Sequence, residues 1–192
     1  RLTSLSIFSS ISNELTKPVF VSLTMANDSF LKSWLREEND SPKQIAELQD
    51  YLNGLKRKYD YSSVFLVSAK TNIYYHYNGI NKVVSRDDSH DVWYYNFVVS
   101  GIPHRLEVDT DEMVRNELTV FVNCRIEDDH GELMGVVGVG VKMRELQQIL
   151  ASFELDFDLT AFLVNREGVV QVHTSDAMIA NATIDDLLPV SE

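Results

Sequence analysis

The chain has 192 residues, 44% hydrophobic and 24% charged, with only 8 Gly and 4 Pro. That suffices for one ordinary domain plus a remainder and excludes a disordered or collagen-like chain. Seventeen Lys and Arg against 29 Asp and Glu give a net charge of −12, which repels phosphate backbones and anionic lipid surfaces and makes nucleic acid a poor partner. The single cysteine, Cys124, excludes an intrachain disulfide and any multi-cysteine metal site.

The sequence begins at Arg1, with no leader pattern and no apolar run of the roughly 18–20 residues that span a bilayer. It is expected to be cut from a longer protein. Over 2–38 the apolar residues recur every three or four positions (Leu5, Phe8, Ile11, Leu15, Val19, Leu23, Phe30, Trp34), predicting one long amphipathic helix. Pro18 removes a backbone hydrogen bond, so a kink or break is expected near Lys17. Asp40-Ser41-Pro42 is a helix start signal, and a second helix is predicted to run to Tyr59 with Ile45, Leu48, Tyr51, Leu52 and Leu55 on its apolar face.

From Asp60 the pattern becomes that of strands. Val64-Phe65-Leu66-Val67 and Ile73-Tyr74-Tyr75-His76-Tyr77, joined by Ala69-Lys70-Thr71-Asn72, read as a hairpin closed by Asn78-Gly79. Trp93-Tyr94 falls in a loop. Strands are predicted over 105–108, 118–127 and 132–141, the last two joined by the turn Asp128-Asp129-His130-Gly131, and a helix over 143–153. A second hairpin, 159–164 and 169–173, then echoes the first, and a short helix over 184–188 follows.

This order of elements resembles the extracytoplasmic double Cache sensor domain of bacterial histidine kinases, diguanylate cyclases and chemoreceptors. The residues that carry the resemblance are the stretch Arg125-Ile126-Glu127-Asp128-Asp129-His130-Gly131-Glu132-Leu133-Met134-Gly135-Val136-Val137-Gly138-Val139 and the paired aromatics Trp93-Tyr94. It implies an α+β fold: a helical stalk over 1–59, a membrane-distal PAS-like module with a central antiparallel sheet over 60–153, and the start of an incomplete membrane-proximal module over 154–192. It also implies a periplasmic location, flanking transmembrane helices outside this sequence, a homodimer through the N-terminal helix, and a small-molecule ligand in the distal module.

In amino-acid-binding members an arginine two positions before the tryptophan grips the ligand carboxylate; here that position is Asp91. A tyrosine and an aspartate on the next strand correspond to Asp109 and Asp111, and a further aspartate, which takes the ligand ammonium, corresponds to Gly140. A ligand carboxylate would therefore be repelled unless Lys82 or Arg86 supplied a cation, whereas Asp91, Asp109, Asp111, Trp93 and Tyr94 suit an amine or other organic cation. Tyr75 is expected to point opposite to Tyr74 and Tyr77 and is one candidate for the pocket. Asn123, on an otherwise apolar and aromatic strand, is another, because a buried amide needs partners.

Signals for catalysis or metals are weak. His76, His90, His104, His130 and His173 have no ligand spacing, Cys124 reads as a small buried hydrophobe, and Gly135, Gly138 and Gly140 lie within a strand rather than before a helix. Glu127-Asp128-Asp129 lacks the spacing of a calcium loop. No metal, cofactor or enzymatic activity is expected of this segment. The competing reading is a structural or dimerisation module of a receptor with no ligand of its own.

Overall fold

The computed structural model describes residues 2–39, 41–115 and 117–187. Residue 40 of the predicted cap and residue 188 of the last predicted helix lie outside them. Helix α1 (Leu2–Ala26) passes Pro18 without ending, so the break expected near Lys17 is not there. The chain breaks instead at Asn27 and Asp28. Asp28 caps α2 (Ser29–Arg36) by accepting from Phe30 N at 2.7 Å, and Asn27 Nδ2 donates to Leu23 O at 2.9 Å. Proline forfeits one hydrogen bond inside a helix, but here two side chains that satisfy helix ends decide the boundary. Helix α3 (Pro42–Tyr59) starts as expected, its N-cap Ser41 hydroxyl accepting from Gln44 N.

By compactness the chain divides into two units, residues 17–141 and residues 1–16 with 142–192. The first is built on a six-stranded antiparallel sheet in the order β3-β2-β1-β6-β5-β4. The strands are β1 (Ser63–Ser68), β2 (Ile73–His76), β3 (Gly79–Val83), β4 (His104–Asp111), β5 (Glu117–Glu127) and β6 (Leu133–Lys142). Period-two alternation splits its residues between two faces. One face carries Val64, Leu66, Tyr75, Val122, Cys124, Ile126, Val137 and Val139 and packs with Met25, Leu31, Trp34, Leu35, Leu48 and Leu52 of the three helices. Leu48 and Leu52 are fully buried, and truncating either to alanine would cost about 2–5 kcal/mol.

The opposite face carries Phe65, Val67, Tyr74, Phe121 and Val136, covered by Val84 and by Tyr94 and Phe97 of helix α4 (Val92–Ser100). Trp93 and Tyr94 thus lie on a helix rather than in the predicted loop. Strand β3 was not expected either, because Gly79-Ile80-Asn81-Lys82-Val83 is a half-exposed strand at the sheet edge without apolar alternation. Gly138 opposes Phe65 across β1 and β6, and a Cβ there would lie 2.3 Å from Val122 O and 2.9 Å from the Phe65 ring. Only glycine leaves that ring its place.

The second unit holds helix α5 (Met143–Phe157), the hairpin β7 (Phe162–Val164) and β8 (Val170–His173), and the single-turn α6 (Ile184–Leu187). Gln147 Nε2 ties α5 to the hairpin by donating to His173 O and Asp176 Oδ1. Strand β7 begins three residues later than predicted, because Glu154 holds the segment before it: its carbonyl accepts from Leu159 N and its carboxylate from Ala161 N.

One buried carboxylate fastens the helical layer to the sheet. Glu38, 7% exposed, accepts from Ser68 Oγ at 2.6 Å, Thr71 Oγ1 at 2.7 Å and the Tyr75 hydroxyl at 2.9 Å. Ser68 Oγ in turn accepts from Lys70 N and Thr71 N, shaping the β1–β2 turn. Glu38→Ala would remove the acceptor shared by Ser68, Thr71 and Tyr75 and is expected to lower the unfolding free energy by about 3 kcal/mol in urea denaturation, with Glu38→Gln losing less.

Candidate ligand pocket

On the α4-covered face lies a pocket of about 30 Å³ lined by Phe65, Tyr74, Asn81, His90, Trp93, Glu107, Asp109, Thr110, Asp111, Glu112, Phe121 and Asn123. Its side walls follow from strand register. Glu107, Asp109 and Asp111 alternate along β4, and Glu107 and Asp109 pair with Phe121 and Thr119 of β5 while Arg105 pairs with Asn123, so acids and aromatics share one face. The floor is aromatic. Phe65 meets Tyr74, Trp93 and Phe121 edge to face at ring separations of 5.2, 5.9 and 6.1 Å.

Four of the eight residues expected at the site line this pocket: Trp93, Asp109, Asp111 and Asn123. Lys82 and Asp91 form a clamp beside it. The Lys82 ammonium lies 2.8 Å from Asp91 Oδ1, 2.8 Å from Glu112 Oε2 and 3.2 Å from Asp88 Oδ2. Asp91, 1% exposed, also accepts from Ser85 N at 2.8 Å, so it organises the turn before α4 instead of facing a ligand. Burial works to lower the Lys82 pKa, but the hydrogen bonds to Asp91, Glu112 and Asp88 outweigh it and hold the ammonium above the usual lysine range. Arg86 stacks over the Tyr95 ring at 4.3 Å. Tyr94 is buried beside Trp93 and Tyr95, its phenol pushed up to about 12 by burial, and does not line the pocket.

Tyr75 does not line it either. Its hydroxyl bonds Glu38 and its ring packs edge on against Trp34 at 5.0 Å, on the helix-covered face. Tyr77 packs with that core too, and Tyr74 alone points to the pocket. The period-two rule holds: Tyr75 and Tyr77 share a face, opposite to Tyr74. Sequence reasoning missed Tyr74, Phe65, Phe121, Glu107, Glu112, Asn81, His90 and Thr110. The alternation of Glu107 with Asp109 and Asp111 was a readable signal for the first acid; Asn81, His90 and Glu112 arrive only through tertiary folding. At Gly140 a Cβ would sit 2.7 Å from Thr119 Cγ2 and 2.9 Å from Ser63 Cβ, so packing leaves no room for a side chain at that position.

The electrostatics are one-sided. Four carboxylates line the pocket, from Glu107, Asp109, Asp111 and Glu112, and Lys82 contacts only the last of them. Burial pushes the Glu107 and Asp109 carboxyls above the usual range, and repulsion from Asp109 and Glu112 respectively adds to it. Such an arrangement accepts hydrogen bonds and attracts positive charge. No group of three or more His, Cys, Asp or Glu able to hold a metal ion occurs among the described residues, and the Cys124 thiol, buried on the other face, is pushed up to about 12 and stays protonated.

The sheet, its helical layer and a pocket under a short tryptophan-bearing helix make this the fold of the Cache sensor domains. The ligand-binding domain of the Pseudomonas aeruginosa PAO1 amino acid chemoreceptor PctC, solved with GABA, matches with a TM-score of 0.66 at 16% identity, over 99% of this chain and 81% of that one. The V. cholerae histidine kinase DctB sensor domain matches at 0.68 and 15%, over 92% and 66%. The E. coli DcuS sensor domain matches at 0.53 and 15%, over 79% and 99%. At these identities the likeness is one of fold, and no protein-family model matches the chain.

His76 lies on the pocket face, fully buried. Its Nδ1 meets Asn78 Oδ1, an acceptor, so Nδ1 carries the proton and Nε2 accepts from Ser63 Oγ at 3.0 Å. Burial lowers its pKa, the Asn78 bond and the Asp111 charge opposing. With the folded value below the unfolded value of about 6.5, the unfolded chain binds the proton more readily, so this contribution to stability is present above about pH 6.5 and lost as pH falls. The stability advantage of wild type over His76→Gln is expected to shrink between pH 7 and pH 5 in urea titrations; a constant or growing advantage contradicts it.

Proposed function

We propose that this chain is the extracytoplasmic sensing domain of a membrane-bound signalling receptor and that it binds a small organic cation, an amine above all, in the pocket beneath Trp93. The observation that carries the reading is a pocket walled by Glu107, Asp109, Asp111 and Glu112 over an aromatic floor, with Lys82 committed to Asp91, Asp88 and Glu112. Charge-assisted hydrogen bonds to the carboxylates and cation–π contact with Trp93 favour a positive head group, and a ligand carboxylate would meet unpaired negative charge.

The reading is supported by the company the fold keeps: sensor and ligand-binding domains of chemoreceptors and histidine kinases, among them one in complex with GABA and one with L-Arg. GABA and arginine both carry an ammonium or guanidinium group, the half of such a ligand that this pocket suits. The domain acts by binding and has no catalytic role. No helix among the described residues is long and apolar enough to cross a membrane. Residues 154–192 would be the start of a second, membrane-proximal module, making the whole a double Cache domain. A homodimer through α1 is supported by the exposed apolar side chains of Leu5 and Phe8. Ligand binding signals only if it favours one arrangement of the receptor over another.

Thermal shift and calorimetric titration of this chain against alkylamines, polyamines, dicarboxylates and amino acids test the proposal. Amines should raise the melting temperature and acids should not. Because the Glu107 and Asp109 carboxyls sit above the usual range, amine affinity should weaken with acidification from a higher pH than an ordinary carboxylate site would show. Binding of dicarboxylates alone, or amine affinity that rises as pH falls, would sink the cation reading.

A further inference from the structure

Two buried acceptors in the pocket have no protein donor. Asp111, 3% exposed, accepts from Met113 N at 2.9 Å through Oδ1, and its Oδ2 has no partner. Asn123, 2% exposed, directs Nδ2 to Glu107 Oε2 at 3.5 Å, and its Oδ1 has no partner. The Glu107 carboxylate fixes that amide: turned over, Asn123 would set its carbonyl against a negative charge. Both side chains line the same small cavity. An unpaired buried acceptor is unfavourable in a fold that gains nothing from it, and its natural complement is an N–H or O–H donor on an occupant.

Building on the cation-binding reading above, we propose that Asn123 and Asp111 make the pocket specific for cations that carry N–H donors, a primary ammonium, against quaternary ammonium ions of equal charge. Carboxylates and aromatic rings attract both classes. They differ at the two orphaned oxygens. A primary ammonium presents three N–H donors in a compact head, enough for Asp111 Oδ2 and Asn123 Oδ1 together. A tetramethylammonium ion presents only methyl groups and leaves both oxygens unpaired. A site built to hydrogen-bond a ligand rejects the analogue that lacks the donor far more strongly than a merely apolar site can. Asn123 is thus a specificity-determining residue, and its carbonyl is the part that reads the ligand.

The test titrates this chain with n-propylammonium and with tetramethylammonium by calorimetry, in wild type and in Asn123→Leu. In wild type propylammonium should bind roughly tenfold or more tightly than tetramethylammonium, the value of one satisfied buried acceptor. Asn123→Leu should lose part of that preference, severalfold, by weakening propylammonium selectively, the remainder resting on Asp111 Oδ2. Equal or tighter tetramethylammonium binding in wild type overturns the specificity while leaving a cation site standing. Binding of neither cation overturns the cation reading and this inference with it. A variant that melts lower and keeps the wild-type preference assigns Asn123 a packing role and overturns its part in recognition.

Discussion

The pocket depends on where one ammonium group is spent. Lys82, on the edge strand β3, reaches Asp91 and Asp88 in the turn before α4 and Glu112 in the turn after β4. Those contacts join three segments distant in sequence, set the start of the helix that carries Trp93, and neutralise the buried Asp91. They also exhaust the cation. Glu107, Asp109 and Asp111 remain without a lysine or arginine in ion-pair contact among the described residues, and burial raises the Glu107 and Asp109 carboxyls. A carboxyl whose folded pKa is raised weakens the fold as pH rises through its titration, so ionised acids here cost stability that a bound cation would return. Strain of this kind belongs at a binding site rather than in a core.

The sheet makes that arrangement possible by keeping its two faces for different tasks. The face with Leu66, Val122 and Val137 closes against three helices and the Glu38 network, whereas the face with Phe65 and Phe121 keeps room for an occupant under α4. Gly138 is the point at which the two requirements meet. A side chain there would strike the Val122 carbonyl and displace the Phe65 ring that floors the pocket. Thr119 and Ser63, packed against Gly140, leave no room for a side chain there, and Asp111 is the most deeply buried acid among those that line the pocket.

Most of the fold was legible because its signals are local. The Ser41-Pro42 cap, the β1–β2 hairpin, the long pair β5–β6 and helix α5 rest on periodicity and turn chemistry within short windows. The misses are places where side-chain partners distant in sequence or competing caps decide. Asp28 and Asn27 ended a helix that Pro18 did not; β3 exists because β2 pairs with it, not because its residues alternate; Glu154 shortened β7. Half of the residues expected at the site line one pocket for the same reason. Asp109, Asp111 and Asn123 follow from alternation on paired strands, and Trp93 from its motif. Lys82 and Asp91 were each expected to face a ligand, but that they bind each other depends on the path of 84–91. Tyr75 failed on face assignment, with Tyr74 the residue that alternation in fact turns toward Phe65.

The central claim is that Glu107 and Asp109 are ionisable acids held ready for a positive ligand. Carbon-detected NMR titration of their side-chain carboxyls, with and without propylammonium, measures this directly. The account predicts that both titrate above the usual carboxylate range in the free protein and that both fall when the amine is added. Ordinary values that the amine leaves unchanged would contradict it.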